Sequence, residues 1–150
     1  MTLNWDLMFA ATNLVALLGW LALAALPRRE PVLAAILVGA VGLLCAAYAA
    51  MFAGLFAGLL DPVRDATGPA PPFEYSVGGL KTLFAARGPI VLGWTHYLAF
   101  DLFVGVWIAR DTDGRGVHRL VQLPFLFATF MAGPVGLLAW LVLRKPLGRR

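Results

Sequence analysis

The sequence predicts an all-α integral membrane protein with four transmembrane helices in an antiparallel bundle. Hydrophobic residues make up 61% of the 150 residues and charged residues only 13%, a composition too apolar for a soluble domain of this length. Apolar runs of roughly 20 residues recur along the chain, and each is long enough to cross a hydrocarbon core of about 30 Å. The runs are continuous and do not alternate with period two, which favours helices over transmembrane strands.

The whole chain, residues 1–150, is predicted to be a single transmembrane domain with helices at about residues 5–26, 31–60, 88–109 and 118–143. Residues 1–6 carry no Lys or Arg, and the first run is too long for the apolar core of a cleaved signal peptide, so we expect it to be a helix. Cys45 lies inside the second run and is expected to be a buried, unreactive thiol.

The second helix carries small residues at helical spacing, which is the pattern that close helix packing in lipid uses. This stripe favours a structural role, and it is the surface through which a homo-oligomer or a larger complex would form. Its members are Ala35, Gly39, Gly42, Ala46, Ala50, Gly54 and Gly58.

Between the second and third helices, residues 61–74 read DPVRDATGPAPPFE and contain four prolines. Proline removes a backbone donor and restricts the residue before it, so this segment is predicted to be a loop outside the hydrocarbon. Residues 76–87 then place apolar side chains on one side and Lys81 and Arg87 towards the other. This pattern predicts a short interfacial helix. The alternative is a lid over a cavity between the main helices.

The formal net charge of +4 comes from Arg and Lys at the ends of the apolar runs. Basic residues in these places act as topology signals and contact anionic headgroups, and they do not indicate a nucleic-acid partner. Four crossings would put both termini on one side, with seven Lys or Arg against five on the other. We therefore expect both termini in the cytoplasm, and the Ala-, Leu- and Gly-rich composition without a transit-peptide-like extension indicates a bacterial inner membrane.

Two ionisable side chains, His96 and Asp101, lie well inside the third apolar run. An unpaired ionisable group at that depth costs several kcal/mol, so each is a functional-site hypothesis. At about 100° per residue, Trp94 and Tyr97 lie within roughly 40° of Asp101, whereas His96 lies roughly 140° round the helix. Phe100 lies between the two. The pair therefore brackets a broad aromatic sector, and both are the predicted catalytic residues.

The fourth helix carries a more regular polar stripe, in which His118, Gln122, Thr129 and Trp140 share one face. A polar stripe facing an aromatic sector is typical of a cleft for a long, mostly apolar ligand that a few polar groups orient. The predicted substrate-binding residues are therefore Trp94, Tyr97, Phe100, His118, Gln122, Thr129, Trp140 and, from the first helix, Asn13.

Three interpretations of His96 and Asp101 stay open from the residues alone. They form a buried pair that fixes helix packing, or they act as an acid and a base in proton transfer. The third is a metal site with His118, but no two of these residues have the close helical spacing of known metal motifs. No metal or other cofactor is predicted. The chain has no nucleophile elbow, phosphate-binding loop or CxxC motif, which excludes the chemistries that depend on them.

The third and fourth segments, GWTHYLAFDLFVGVWIARD and GRGVHRLVQLPFLFATFMAGPVGLLAWLVLR, resemble the abscisic-acid-deficient-four-like family. The first run, with Asn13, Trp20 and Pro27, is similar to the same family. Plant members of the family are linked to neoxanthin synthesis, so the resemblance implies a small polytopic membrane protein that acts on a carotenoid. The plant reaction is an epoxide-to-allene isomerisation, in which no atoms are gained or lost.

The resemblance implies that the chain binds a carotenoid or a related isoprenoid in an intramembrane pocket and isomerises it by acid–base chemistry. His96 and Asp101 would move the protons, assisted by Tyr97 or His118. The alternative is a non-catalytic membrane subunit that binds lipid or assembles with partners through the stripe of the second helix. A third interpretation, a proton-coupled carrier, requires His96 or Asp101 to face a water-filled path.

Overall fold

The computed structural model describes residues 3–64 and 74–147, and it forms helices throughout, with no strand in those ranges. Helix α1 is Trp5–Ala25. A second long helix comprises α2 (Glu30–Ala35), a π-helical segment (Ile36–Val41) and α3 (Gly42–Phe56), and we call it the α2–α3 helix. Helix α4 is Val77–Leu83, α5 is Arg87–Gly114 and α6 is Arg119–Leu147.

Local sequence signals explain where the first helices begin and end. The Asn4 side chain caps α1 by accepting the Leu7 N–H, and the helix ends just before Pro27. The α2–α3 helix begins with a proline in its first turn, where no intrahelical donor is lost. It ends at Phe56, and Gly58, two residues later, has a φ of +68°, a conformation that glycine adopts without steric cost.

The first three long helices alternate in direction, as their end contacts show. At one end of the molecule, the Trp5 indole N–H donates to the Asp61 carbonyl at 2.9 Å, and Arg87 Nη1 lies 3.3 Å from Asp6 Oδ2. We call this the N-terminal end. At the other end, Arg28 Nη1 lies 2.7 Å from Asp113 Oδ1, and the Arg110 guanidinium pairs with the Glu30 carboxylate. We call this the arginine end.

Glycines bring α1 and α5 into close contact at the centre of the bundle. A Cβ at Gly105 would lie 2.6 Å from the Trp20 ring, and one at Gly19 would lie 2.5 Å from Leu102. Large apolar side chains such as Leu14, Phe127 and Leu138 point outward and are exposed. Four helices in the described ranges are long and apolar enough to cross a membrane, and this outward apolar surface is what contact with lipid tails requires.

Helix α6 does not run as one straight rod, because the chain reverses direction at Ala132, whose φ of −155° and ψ of 74° are not helical. The rings of Phe125 and Trp140 lie 5.2 Å apart, whereas 15 residues of straight helix would separate them by about 22 Å. A Cβ at Gly136 would lie 2.2 Å from the Thr129 backbone nitrogen. Residues 119–131 and 133–147 are therefore the two legs of a helical hairpin.

The residues at the turn explain the reversal. Pro134 cannot donate a backbone hydrogen bond to the preceding leg, so the helical ladder is interrupted there. Gly133 leaves space for the Asp101 carboxyl of α5, because a Cβ at this glycine would lie 1.9 Å from Asp101 Oδ1. The open end of the hairpin lies at the arginine end, where the Trp140 indole N–H donates to Asp111 Oδ2 at 2.9 Å.

The depth of the hairpin follows from α5. Asp101 at the turn and Asp111 at the open end are ten residues apart, which is about 15 Å of helix and half of a hydrocarbon core of about 30 Å. Irregular backbone at this depth is tolerated where it is buried in protein. The fourth apolar segment therefore begins and ends at the arginine end of the bundle, which differs from the single helix predicted for residues 118–143.

Several expectations change with this geometry. Trp5 and Leu147 lie at opposite ends of the bundle, which differs from the arrangement that four antiparallel helices would give. The third long helix was predicted to end at residue 109, but α5 continues to Gly114, and Asp111 Oδ2 pairs with Arg115 Nε at 2.8 Å across its last turn. Cys45 is exposed rather than buried. Residues 61–64 and 74 are not helical, and the rest of the predicted loop lies outside the described residues.

Candidate functional site

An apolar groove of about 880 Å³ opens on the side of the bundle between α3, α4 and the first turns of α5. Its volume falls within the range of about 300–1,000 Å³ typical of small-molecule sites. Most of its lining side chains are aromatic or aliphatic, and the polar ones are Tyr48, Arg64 and His96. The lining comprises Tyr48, Phe52, Leu55, Phe56, Pro62, Arg64, Leu83, Phe84, Ala86, Pro89, Leu92, Gly93 and His96.

His96 lies at the inner end of the groove. Its imidazole stacks on Phe100 with ring centroids 4.6 Å apart, and it lies 5.5 Å from the Tyr48 ring. The side chain is exposed, and within residues 3–64 and 74–147 neither ring nitrogen makes a hydrogen bond. A free imidazole held by aromatic stacking can accept or donate a proton to a molecule in the groove.

The opposite wall of the groove is an aromatic stripe on α3, formed by Tyr48, Phe52 and Phe56. These three residues were not among the predicted binding residues. Tyr48 stacks on Phe52 at 6.0 Å, and Phe52 stacks on Phe56 at 5.6 Å. The signal was present in the spacing, because residues four apart lie on one helix face. Three consecutive aromatics at that spacing distinguish this face from the Gly/Ala stripe of the same helix.

The outer end of the groove is formed where the loop after α3 meets the start of α5. Arg64 pairs with Ala86 in an isolated antiparallel bridge, and the Gly88 N–H donates to the Pro62 carbonyl at 3.0 Å. Phe84, which follows α4, packs over Gly93, where a Cβ would lie 3.0 Å from its ring. The predicted short helix is therefore present, and its C-terminal side forms part of the groove wall.

Asp101 lies in a different place from His96, as the 140° between them on the helix implies. It is only 9% exposed and packs against Gly133 at the turn of the hairpin. Its Oδ2 has no hydrogen-bond partner among the described residues, and Tyr97 lies one turn away on the same helix. Asp101 does not line the groove. The structure therefore does not bring the two predicted catalytic residues together.

The remaining predicted binding residues divide among four places. Phe100 continues the groove surface beside His96, and the Trp94 indole N–H donates to Asn13 Oδ1 at 3.1 Å on the other side of α5. Tyr97 stacks on Trp94 at 5.8 Å.

The residues from the fourth segment lie away from the groove. Gln122, Thr129 and Trp140 are buried by the hairpin, and the Thr129 hydroxyl donates to the Phe125 carbonyl of its own leg at 2.8 Å. His118 is exposed at the arginine end, where its Nδ1 accepts the Leu120 N–H at 3.3 Å. The predicted polar stripe of the fourth helix therefore packs inside the hairpin and does not face the aromatic sector.

No group of three His, Cys, Asp or Glu side chains in the described parts of the chain is arranged to hold a metal ion.

At the arginine end, burial lowers the pKa of the Arg28 guanidinium, and the nearby Asp113 carboxylate opposes that shift.

The family model described as ABA4-like, ABA DEFICIENT 4-like, matches residues 7–140. The chain belongs to this family. The match spans α1 to the second leg of the hairpin, so it includes the groove, Asp101 and the helical reversal. Membership relates the chain to membrane proteins of neoxanthin synthesis. No curated protein and no solved structure matched the chain.

Proposed function

We propose that the groove binds a carotenoid or a related isoprenoid lipid and that His96 isomerises it by proton transfer. The observation that carries the proposal is a free imidazole at the inner end of an apolar, aromatic-lined groove. A long polyene presents flat apolar surface, which aromatic side chains contact with little loss of side-chain entropy. The groove opens sideways from the bundle, so a membrane-dissolved ligand can enter without crossing water.

The dimensions support a ligand that is held at one end. From Arg87 at the start of α5 to His96 is nine residues, or about 14 Å of helix. This depth accommodates an end ring and the adjacent part of the chain. The exposed side chain of Phe100 extends the same face of α5 towards the arginine end, where the rest of the ligand would lie against lipid.

The chemistry requires one proton to leave carbon and one to reach oxygen. In the epoxide-to-allene rearrangement, neutral His96 removes a proton from the carbon beside the epoxide. The released electron pair forms the new double bond while the ring C–O bond breaks, and the imidazolium then protonates the alkoxide. No atom is gained or lost, and His96 returns to its neutral form, so one residue can serve as base and then acid.

The experiment compares His96→Gln with Asp101→Asn in purified protein supplied with a carotenoid epoxide. His96→Gln keeps the size of the side chain but removes the base, so we expect ligand binding to persist and conversion to fall by about 10²-fold or more. Asp101→Asn should convert the ligand normally, because Asp101 lies outside the groove. Chromatography of the extracted lipid measures conversion, and absorbance of the purified protein measures binding.

Equal loss of conversion in both variants would contradict the role of the groove. A wild-type protein that retains a polyene but never alters it would instead be the non-catalytic lipid-binding subunit. The carrier interpretation requires proton flux in liposomes, which the apolar groove does not favour.

We further propose that the arginine end faces the cytoplasm of a bacterial inner membrane. Because the fourth segment folds back, the described Lys and Arg divide unequally between the two ends. Three lie at the N-terminal end, namely Arg64, Lys81 and Arg87. Seven lie at the arginine end, namely Arg28, Arg29, Arg110, Arg115, Arg119, Arg144 and Lys145. This imbalance is larger than that of a four-crossing topology, and under the positive-inside rule it favours an N terminus outside the cytoplasm. A separate proposal is that this protein assembles with a second copy or with a larger complex through the Gly/Ala stripe of the α2–α3 helix. A Cβ at Gly39, a member of that stripe, would meet nothing within 4 Å.

A further inference from the structure

The hairpin gathers three arginines around one depression at the arginine end. The depression has a volume of about 500 Å³ and is lined by Trp107, Arg110, Asp111, Gly114 and Arg115. Arg144, from the second leg of the hairpin, borders it, with its guanidinium carbon 5.7 Å from the centre of the Trp107 ring. A fourth helix that crossed the membrane would have placed Arg144 at the opposite face. The cluster therefore exists only because the chain turns back.

The cluster is positively charged after its internal pairs are counted. Asp111 Oδ2 lies 2.8 Å from Arg115 Nε and 3.5 Å from Arg144 Nη1, and Arg110 pairs with Glu30. Three guanidinium groups thus face two carboxylates, which leaves one positive charge at the depression. One monoanionic group would neutralise it.

Two of the guanidinium groups also have unused hydrogen-bond donors. The Nε atoms of Arg110 and Arg144 are buried and have no hydrogen-bond partner among the residues that the structure describes. A buried N–H without an acceptor is costly, so an acceptor is expected there. Arginine presents its donors in a fixed fork that matches the oxygens of a phosphate group.

The depression lies at the level of lipid headgroups. Asp111 lies in the last turn of α5 beside Arg110, Asp113 and Arg115, and a run of charged residues of this kind belongs outside the hydrocarbon core. Trp107 has the position of an interfacial aromatic residue. Phe103, one turn deeper on the same face, is exposed and would contact an acyl chain.

We propose that this depression binds the phosphate group of an anionic membrane lipid in the leaflet at the arginine end. The position beside Trp107 and Phe103 favours a lipid over free phosphate, because only a lipid fills both the charged and the apolar parts of the surface. The site lies at the opposite end of α5 from the groove, and it does not depend on the ligand or the chemistry of His96.

The test uses the delipidated full-length protein in a neutral detergent, with lipid binding followed by native mass spectrometry. The probes are dioleoyl phosphatidylglycerol, dioleoylglycerol as the same lipid without phosphate, and millimolar inorganic phosphate as a competitor. Phosphatidylglycerol should bind about tenfold or more tightly than dioleoylglycerol, because dioleoylglycerol has no charged phosphate oxygens to pair with the arginines. Inorganic phosphate should displace it weakly.

Arg144→Gln should weaken phosphatidylglycerol binding about tenfold, since it removes a charged fork from the depression. Arg29→Gln is the matched control, because Arg29 is exposed at the same end but outside the depression. It removes the same charge and should change the affinity by less than about twofold. Arg144→Lys keeps the charge without the fork, so it should lose affinity severalfold in a protein that stays folded.

Equal weakening by Arg29→Gln and Arg144→Gln would show only general charge attraction and would overturn the site. Wild-type affinity in both Arg144 variants would do the same. Binding of inorganic phosphate that depends on Arg144, with no preference for phosphatidylglycerol over dioleoylglycerol, would overturn the assignment to a lipid.

Discussion

Gly136→Ala tests the helical hairpin most directly. The added methyl group would lie 2.2 Å from both the backbone nitrogen and the hydroxyl oxygen of Thr129, and 2.6 Å from its Cα. Normal contacts between non-bonded atoms are about 3.5–4.0 Å, so the two legs would have to separate by more than 1 Å. The Thr129 side chain cannot simply rotate away, because two of the three close atoms belong to the backbone.

Overpacking of this kind lowers the free energy of unfolding by about 1–3 kcal/mol, occasionally more. Each kcal/mol corresponds to about 2–4 °C in a protein of this size, so the melting temperature should fall by roughly 2–12 °C. Gly39→Ala is the matched control, because a Cβ at Gly39 meets nothing within 4 Å. It should leave the stability unchanged or raise it by up to about 1 kcal/mol, the helix-propensity gain of alanine over glycine. Thermal denaturation of both variants in one detergent measures the difference.

A distance measurement shows whether the loss comes from the hairpin. Spin labels on cysteines at Leu120 and Val142 would sit on exposed positions of the two legs. A straight helix would separate these residues by about 33 Å, whereas the hairpin holds both at the arginine end. We expect a short distance in the otherwise unchanged protein and a broadened, longer one with Gly136→Ala. A wild-type distance near that of a straight helix, or an unchanged melting temperature for Gly136→Ala, would refute the close packing of the legs.

Two further predictions concern the arginine end. In a Cys45→Ala background, Lys145→Cys should react with a membrane-impermeant thiol reagent from the same side of the membrane as Arg29→Cys, because the hairpin returns the chain to its entry face. Tyr75→Cys should react from the opposite side. Labelling of Lys145→Cys from the same side as Tyr75→Cys would mean that the fourth segment crosses the membrane. Trp140→Phe should lower the free energy of unfolding by about 1.5–3 kcal/mol, because it removes the indole N–H that donates to a carboxylate in a largely buried network. Calorimetry or thermal denaturation checks it, and a loss below about 0.5 kcal/mol would contradict a structural role for that hydrogen bond.

Much of the fold could be predicted from the sequence. The apolar runs predicted the long helices because a bilayer requires about 20 apolar residues for each crossing. Pro27 and Pro31 marked helix ends, because proline restricts the backbone locally, whereas the second long helix was predicted to continue past Gly58 and ends at Phe56. Such signals depend only on residues close together in the chain.

The candidate site was predicted only in part. His96 was identified because an ionisable group at mid-membrane depth needs a reason to be there. The angle of about 140° between His96 and Asp101 already separated them on the helix, but only packing decided that one faces a groove and the other a hairpin turn. The aromatic stripe from Tyr48 to Phe56 was visible in the spacing of these residues. His96, which lies beside Tyr48 in the groove, is more than 40 residues from Tyr48 in the chain, so the spacing could not show that the two meet.

The sequence by itself determined that this protein is helical, lies in a membrane and carries its charges at the ends of its helices. Only the tertiary structure decided that the fourth apolar segment folds back on itself. Gly133-Pro134 marks an interruption, but a proline in a helix permits both a kink and a full reversal. The close approach of Asp101 to Gly133 and the bonds of Trp140 and Arg144 to Asp111 select the reversal, because those contacts join residues far apart in sequence that only the folded chain brings within reach.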